Sequence, residues 1–220
     1  YKPGNIILHD VFDGKSINHW SEKKQIDKVR EYDKIKLSLH KEAIITNKVL
    51  QEYSNAMPKG GKVYVVKSNH DERIDRWLNE GRYINEPQNN VLGHRLYIDQ
   101  YEGRDLVKSL LETIQKTPSN VVYLPRDKGL KLNGFQVGYH GDERFNGGRG
   151  SITSIENAYG KSVTAHSHTP QVLRDTYVVG TSTDLHLDYN TGKSGWMNTH
   201  AFTNPLGKAQ LINVIKGRWT

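Results

Sequence analysis

Cysteine is absent from the 220 residues of this sequence, and so is any long apolar run. Without cysteine the chain has no disulfide and no thiolate metal site, so a metal ion would need His, Asp, Glu or Asn ligands. No stretch approaches the roughly 20 apolar residues of a membrane-spanning helix, which argues against a membrane partner. The first residues show neither an initiator Met nor the pattern of a signal peptide. We therefore expect a piece of a longer protein.

The chain carries more basic than acidic residues, 31 Lys and Arg against 24 Asp and Glu, for a net charge of +7. Such an excess favours a polyanionic partner, because cationic side chains that neutralise phosphates release counterions. Proteins that bind no nucleic acid often have a similar excess, so the charge alone does not assign a partner. No internal repeat is visible along the sequence.

Short runs rich in β-branched residues alternate with helical patterns, which predicts an α/β fold in one domain over residues 1–220. Apolar spacings of three and four predict helices over about 25–56, 74–78, 91–101 and 105–114, and a short one that ends near Tyr159. The predicted strands are Asn5–Leu8, Lys62–Val66, Val121–Leu124, Phe135–Tyr139, Ser162–Thr164, Thr176–Gly180, Thr199–Thr203 and Gln210–Val214.

Polar side chains follow several of these strands at the point where each strand ends, where open α/β sheets bind ligands. They are Asp10, Asp13, Asn69, His70, His140, His166 and His168. The last two are two positions apart, so an extended backbone would point both rings to the same side. Imidazole suits Zn, Mn, Fe or Ni better than Mg or Ca. Each feature also has a simpler interpretation, an Asp-Gly turn at Asp13 or histidines on the surface.

Together these strand ends suit a hydrolytic site with two metal ions, in which a bridging hydroxide attacks phosphorus. A glycine-rich basic loop around Arg149 precedes the short helix that ends near Tyr159. Such a loop can bind phosphate through backbone N–H groups and the arginine. The alternative is that its glycines serve only a tight turn.

Four motifs occur in the order of a known family. They are His9-Asp10-Val11-Phe12-Asp13, Ser68-Asn69-His70-Asp71, His140 and Ala165-His166-Ser167-His168. In order and spacing they resemble the calcineurin-like metallophosphoesterases, in particular the nuclease branch and its phage-encoded members. The resemblance covers residues 8–168, and three glycines of the family motifs are replaced.

This resemblance implies a four-layer α/β/β/α sandwich that lacks its first strand. It also implies two divalent ions, Mn in the first place with Fe or Zn as alternatives, and DNA as substrate. Asp10 would bridge the ions, and Asp13 would support the loop. The implied ligands of one ion are Asn69, His140 and His166, and His168 belongs to the other. His70 would act at the phosphate with Asp71 as its orienting partner, so both are predicted as catalytic.

The first family motif, Asp-x-His, is absent before Asp10. We expect it upstream in a longer protein, and Asp184-Leu185-His186 is the alternative source. Two further functions stay open: a phosphatase or phosphodiesterase on a small or protein-borne phosphate, and an inactive DNA-binding or assembly module. The expected location is the cytoplasm, that of the host if the protein is phage-encoded, and a homo-oligomeric state is left open.

Overall fold

A computed structural model describes residues 3–18, 38–126, 128–143, 151–185 and 193–219. The chain divides into two compact units, Tyr1–Pro125 and Arg126–Thr220. Each unit has its own helices and strands. The prediction of one metallophosphoesterase domain over 1–220 is not decided by this division and stays a prediction.

The first unit is built on a parallel three-stranded sheet in the order β1-β2-β3. Ile6 lies opposite Val63 in this sheet, and Val63 lies opposite Val121. The described elements are β1 (Asn5–His9), a 3₁₀ turn (Lys15–Ile17), α1 (Leu39–Ala56), β2 (Lys62–Val66), α2 (Glu72–Asn79), a 3₁₀ turn (Arg82–Asn85), α3 (Asn90–Tyr101), α4 (Leu106–Glu112) and β3 (Val121–Leu124).

The core of the first unit consists of the inner faces of these elements. β2 reads Lys-Val-Tyr-Val-Val and buries Val63, Val65 and Val66, as a central parallel strand with covered faces does. The helix α4 begins where the Asp105 carboxylate accepts a hydrogen bond from the Lys108 N–H at 2.8 Å. Such a cap satisfies one of the free N–H groups at the helix start. The parallel sheet brings the ends of β1 and β2 to the same edge, which is where the polar loops follow.

The second unit contains two sheets. A five-stranded mixed sheet has the order β4-β5-β6-β8-β7, and an antiparallel sheet has the order β11-β10-β9. The described elements are β4 (Lys131–Leu132), β5 (Phe135–Gln136), α5 (Ile152–Tyr159), β6 (Ser162–Thr164), β7 (Gln171–Leu173), β8 (Thr176–Val178), β9 (Thr199–Thr203), β10 (Ala209–Ile215) and β11 (Arg218–Trp219). Phe135, Ile155 and Val178 are among its buried side chains.

Most of the predicted elements are confirmed. The bounds of β2, β3, β6 and β9 coincide with the predicted strands, and all eight predicted strands have an observed counterpart. The helix predicted over 25–56 is observed as α1 from Leu39, and 19–37 lie outside the described residues. Within the part of the chain that is described, no helix is long and apolar enough to cross a membrane. The mixed α/β class is observed, whereas the four-layer sandwich stays a prediction.

Candidate functional site

The end of β1 delivers two carboxylates toward the loop that follows β2. Asp10 is the first residue after β1 and has a φ of 51°. The Nδ1 atom of His70 lies 3.9 Å from Asp10 Oδ1 and 3.3 Å from Asp13 Oδ1. The predicted proximity of these two strand ends is therefore found within the first unit. Asn69 lies between Ser68 and His70 in the same loop and is partly exposed.

Asp13 is held from a second side by Arg73 of α2. Arg73 Nη1 lies 3.1 Å from Asp13 Oδ1 and donates to the Asp13 carbonyl at 2.5 Å. Burial alone would raise the pKa of Asp13, but hydrogen bonding and charge from His70 and Arg73 outweigh it and hold that pKa below its usual value. Asp13 is thus ionised at neutral pH and faces the imidazole directly.

The carboxylate that orients His70 is therefore Asp13, and the prediction that Asp71 has this role is wrong. Asp71 is buried, and its Oδ2 accepts a hydrogen bond from the Ser68 N–H at 2.7 Å. The Ser68 hydroxyl in turn accepts from the N–H groups of His70 and Asp71, at 3.2 and 3.4 Å. This reciprocal pattern closes the turn that carries His70, and it gives Ser68 a task that glycine could not perform.

Burial raises the pKa of Asp71 to about 8, although the hydrogen bond from Ser68 opposes that shift. The neighbouring charges of Asp10 and Asp105 act in the same direction as burial. Asp71 thus prefers the neutral form near pH 7. Its assignment as a catalytic residue stays a prediction.

Glu42 of α1 ties the loop after β1 to a helix. Its carboxylate accepts from both the N–H and the hydroxyl of Ser16, at 3.2 and 2.8 Å. Burial raises the pKa of Glu42 to about 7, and the bonds from Ser16 oppose the shift. The 3₁₀ turn that contains Ser16 begins two residues after Asp13. Sequence reasoning missed this contact, because nothing in the helical periodicity distinguishes Glu42 from a solvated glutamate.

In the second unit His140 and His166 form a pair. His140 is buried, and its carbonyl accepts a hydrogen bond from the Ala165 N–H at 2.9 Å, which joins the segment after β5 to the end of β6. The centres of the two imidazole rings lie 5.2 Å apart, with an angle of 81° between the ring planes. The predicted association of these two histidines is therefore present.

This ring separation suits a shared metal ion. With a nitrogen-to-ion distance of about 2.0–2.1 Å, each ring centre would lie roughly 3.2 Å from the ion, and a tetrahedral angle would separate the centres by roughly 5.2 Å. The observed 5.2 Å agrees with that value. Among the described residues, however, no three His, Asp or Glu side chains form a metal-binding group. The described residues therefore offer a pair of imidazole ligands for a metal ion, and not a group of three or more ligands.

The backbone of the paired histidines is not extended as predicted. His166 and His168 have φ angles of 68° and 58°, in the left-handed region that residues with a Cβ rarely adopt. The Ser167 N–H donates to the Ala165 carbonyl at 2.9 Å, which marks a tight turn directly after β6. Asp10, His166 and His168 thus account for three of the six non-glycine residues with positive φ in the described part of the chain. Such strain tends to cluster at functional sites.

His168 is held by the segment before β9. Its ring packs edge-to-face against Trp196, with ring centres 4.3 Å apart, and its carbonyl accepts from the Met197 N–H at 3.3 Å. This contact orients the imidazole by packing on one side and by the backbone on the other. Trp196 lies 28 positions from His168 in the sequence, so no local pattern predicts that the two rings are in contact.

Asp142 is a further carboxylate beside His140. It accepts a hydrogen bond from Arg126 Nη2, and the same Nη2 lies 3.1 Å from Glu143 Oε1. Burial would raise the pKa of Asp142, but the Arg126 bond and the charges of His140 and Arg126 hold it below its usual value. In the sequence, only its position two residues after His140 indicated that Asp142 would lie near this imidazole.

Two predictions fall on residues outside the described part of the chain. Arg149, the predicted phosphate ligand, lies within 144–150, which are outside the described residues. His186 of the alternative Asp-x-His motif also lies outside them, whereas Asp184 is described and exposed. Both predictions stay open.

The chain is similar to Protein A1 of Escherichia phage T5. The two are 29% identical over 227 residues, which cover 99% of this chain and 40% of the phage protein. The chain thus spans about two fifths of the length of that relative. No family model matches the chain, and no solved structure matches it. The likeness agrees with the predicted phage-type character, while membership in the metallophosphoesterase family stays a prediction.

Proposed function

We propose that this chain is a metal-dependent phosphodiester hydrolase that acts on DNA. The observation that carries the proposal is the meeting of imidazole and carboxylate groups at strand ends. Asp10 and Asp13 meet His70 in one unit, and His140 meets His166 in the other. Left-handed backbone at Asp10, His166 and His168 adds support, because such strain persists where the surroundings enforce it.

The proposed metal ligands are Asp10 and Asn69 of the first unit and His140, His166 and His168 of the second. Divalent ions held by these groups would neutralise charge on the phosphoryl oxygens and generate a nucleophile from water at neutral pH. The ring separation of His140 and His166 fits such a ligand pair. Trp196 keeps the ring of His168 in place by packing against it.

His70 would deliver the proton that the leaving oxygen needs. Its Nδ1 faces Asp13 at 3.3 Å, so a proton on Nδ1 is shared with that carboxylate and Nε2 remains for the substrate. His70 would donate its Nε2 proton to the leaving oxygen as the phosphorus–oxygen bond breaks. Arg73 fixes Asp13 through both its carbonyl and its carboxylate.

The choice of DNA rests on charge and on resemblance. The net charge of +7 favours a polyanion, and the motif order resembles the nuclease branch of the metallophosphoesterases. A DNA substrate requires activity that falls steeply with salt, because each neutralised phosphate releases counterions on binding.

The test is Mn-dependent cleavage of single- and double-stranded DNA, measured together with metal content. We expect His140→Ala and His166→Ala to lose both metal and cleavage. His70→Ala should retain the metal and lose cleavage. The matched control is His94→Ala, which removes an exposed imidazole of α3 that contacts the Asn90 carbonyl at 2.9 Å and the ring of Tyr83.

Three outcomes would contradict the proposal. If His140→Ala or His166→Ala cleaved DNA as well as the unaltered chain, their role as ligands would be refuted. If the chain hydrolysed aryl phosphates with little salt dependence and left DNA intact, the alternative of a phosphatase for small or protein-borne phosphates would replace the nuclease. Metal binding by the unaltered chain without any hydrolysis would favour the inactive module.

A further inference from the structure

The antiparallel sheet β9–β10–β11 carries positive charge and no negative charge. Residues 189–220 contain no Asp or Glu. Lys208 directly precedes β10, Lys216 directly follows it, and Arg218 begins β11. All three side chains are exposed. Lys161 Nζ donates to the Gly207 carbonyl in the turn before β10, and this ammonium lies 3.8 Å from Asp175 Oδ1.

One face of this sheet is aromatic and open. Paired residues of adjacent strands share a face, and residues alternate between faces along a strand. Trp219 pairs with Val214, and Phe202 and His200 pair with Gln210 and Ile212, so all of these lie on one face. Trp219 is 74% exposed. The buried Thr199 lies on the opposite face, where its hydroxyl donates to Asn213 Oδ1 at 2.9 Å.

His200 contributes a ring rather than a charge to this face. Partial burial lowers the pKa of its imidazole, which favours the neutral form near pH 7. The fixed positive charges beside this face are therefore those of Lys208 and Lys216, whereas Arg218, which pairs with Ile215, lies on the opposite face. Strands of this kind rise about 3.4 Å per residue, so the eight steps from Lys208 to Lys216 across β10 place the two lysines about 27 Å apart.

We propose that this sheet binds single-stranded DNA, with Lys208 and Lys216 at the phosphates and Trp219 stacked on a base. A row of cations beside aromatic rings is the usual means of holding a single strand without sequence preference. Lys208 and Lys216 lie at the two ends of β10 instead of at one tip, which favours an extended polyanion over a membrane surface. This inference rests on the proposed action on DNA. It adds that the DNA is single-stranded and that the sheet β9–β10–β11 binds it.

The experiment measures binding of a fluorescent oligothymidine to the full chain over a series of salt concentrations. Lys208→Gln combined with Lys216→Gln should lower the affinity roughly 25-fold at about 0.1 M salt and reduce the salt slope by about 1.4. Trp219→Leu should weaken binding at least about fivefold without changing that slope, because stacking does not depend on counterions. Trp219→Phe should restore most of the affinity.

The matched control is the double variant Lys41→Gln and Lys59→Gln, which removes the same charge from exposed positions of the first unit. An equal loss in the control and in the sheet variant would overturn the inference, since net charge would then explain both. Anionic phosphatidylglycerol vesicles form a second arm. Loss of vesicle binding in Trp219→Leu, with oligothymidine binding unchanged, would also overturn it in favour of a membrane surface.

Hydrolysis of bis(4-nitrophenyl) phosphate separates this inference from the proposed function, because that small diester needs no extended binding surface. If the chain hydrolyses the diester but its sheet variants bind oligothymidine like the control, the inference fails alone. If the sheet variants lose binding as expected and the chain hydrolyses no diester, the proposed hydrolase fails and the DNA-binding sheet stands.

Discussion

The left-handed backbone at His166 and His168 makes a prediction that does not depend on any metal. Replacing each histidine by Ala and by Gly removes the same imidazole, so the two variants differ only in the Cβ. At φ angles of 68° and 58°, a residue with a Cβ bears a penalty of roughly 1–2 kcal/mol that glycine avoids. Glycine loses about 0.5–1 kcal/mol more chain entropy on folding. We therefore expect the Gly variant to be more stable than the Ala variant by about 0.5–1 kcal/mol.

The assay is urea unfolding followed by the signal of the second unit. With a urea dependence of about 2 kcal/mol per molar, the midpoints of the Gly and Ala variants should differ by roughly 0.3–0.5 M. Comparison at one site cancels the loss of the His140 and Trp196 ring contacts, because both variants lack the imidazole. The difference thus reports on the backbone alone.

His140 provides the matched control, since its φ lies outside the left-handed region. There the order should reverse, with His140→Gly less stable than His140→Ala by about 0.5–1 kcal/mol. If Gly were the less stable residue at 166 and 168 as well, the strain inferred from these φ angles would be refuted. The support that the backbone lends to the proposed ligands would then be lost.

Two further predictions concern stability in the two units. Burial raises the pKa of Glu42 from 4.5 to about 7 against the bonds from Ser16, so its contribution to stability is complete below pH 4.5 and is lost as the pH rises through about 7. The free energy of unfolding, measured with urea, should fall by up to about 3 kcal/mol between about pH 5 and about pH 8 in the unaltered chain and by less in Glu42→Gln. An equal fall in both proteins would contradict this. Gly141→Ala should cost about 2–3 kcal/mol, because a Cβ there would meet Thr164 Cβ at 2.9 Å in addition to a φ of 102°. Gly103→Ala, with a φ of 72° and open space, should cost only about 1 kcal/mol, and equal losses would exclude the steric cause.

The sequence was sufficient to predict where the strands run. Buried β-branched runs such as Lys62–Val66 and Val121–Leu124 have the periodicity and bounds of parallel strands, and the structure has them at the same residues. The rule that ligands collect at strand ends then predicted that Asp10 and His70 would be neighbours, as they are.

The sequence was not sufficient to predict side-chain partners at the site. Asp71 follows His70 directly, but the turn closed by Ser68 directs its carboxylate back to the backbone, and Asp13 takes the place beside the imidazole. The pattern His-x-His equally suits a strand or a left-handed turn, because periodicity carries no information on the sign of φ. Contacts such as Trp196 with His168 depend on tertiary folding, and no local rule indicates them.

The parallel sheet of the first unit also has a kinetic consequence. Asn5 pairs with Lys62, and Val63 pairs with Val121, so each strand pairing closes a loop of more than fifty residues. The β9–β10 hairpin, in which Ala209 pairs with Thr203, closes only a short one. Because the entropy of loop closure must be overcome before distant contacts form, the hairpin should assemble early and the parallel sheet late. The encounter of Asp10 and Asp13 with His70 would then belong to the slowest phase of folding, after the greater part of the chain has already become compact.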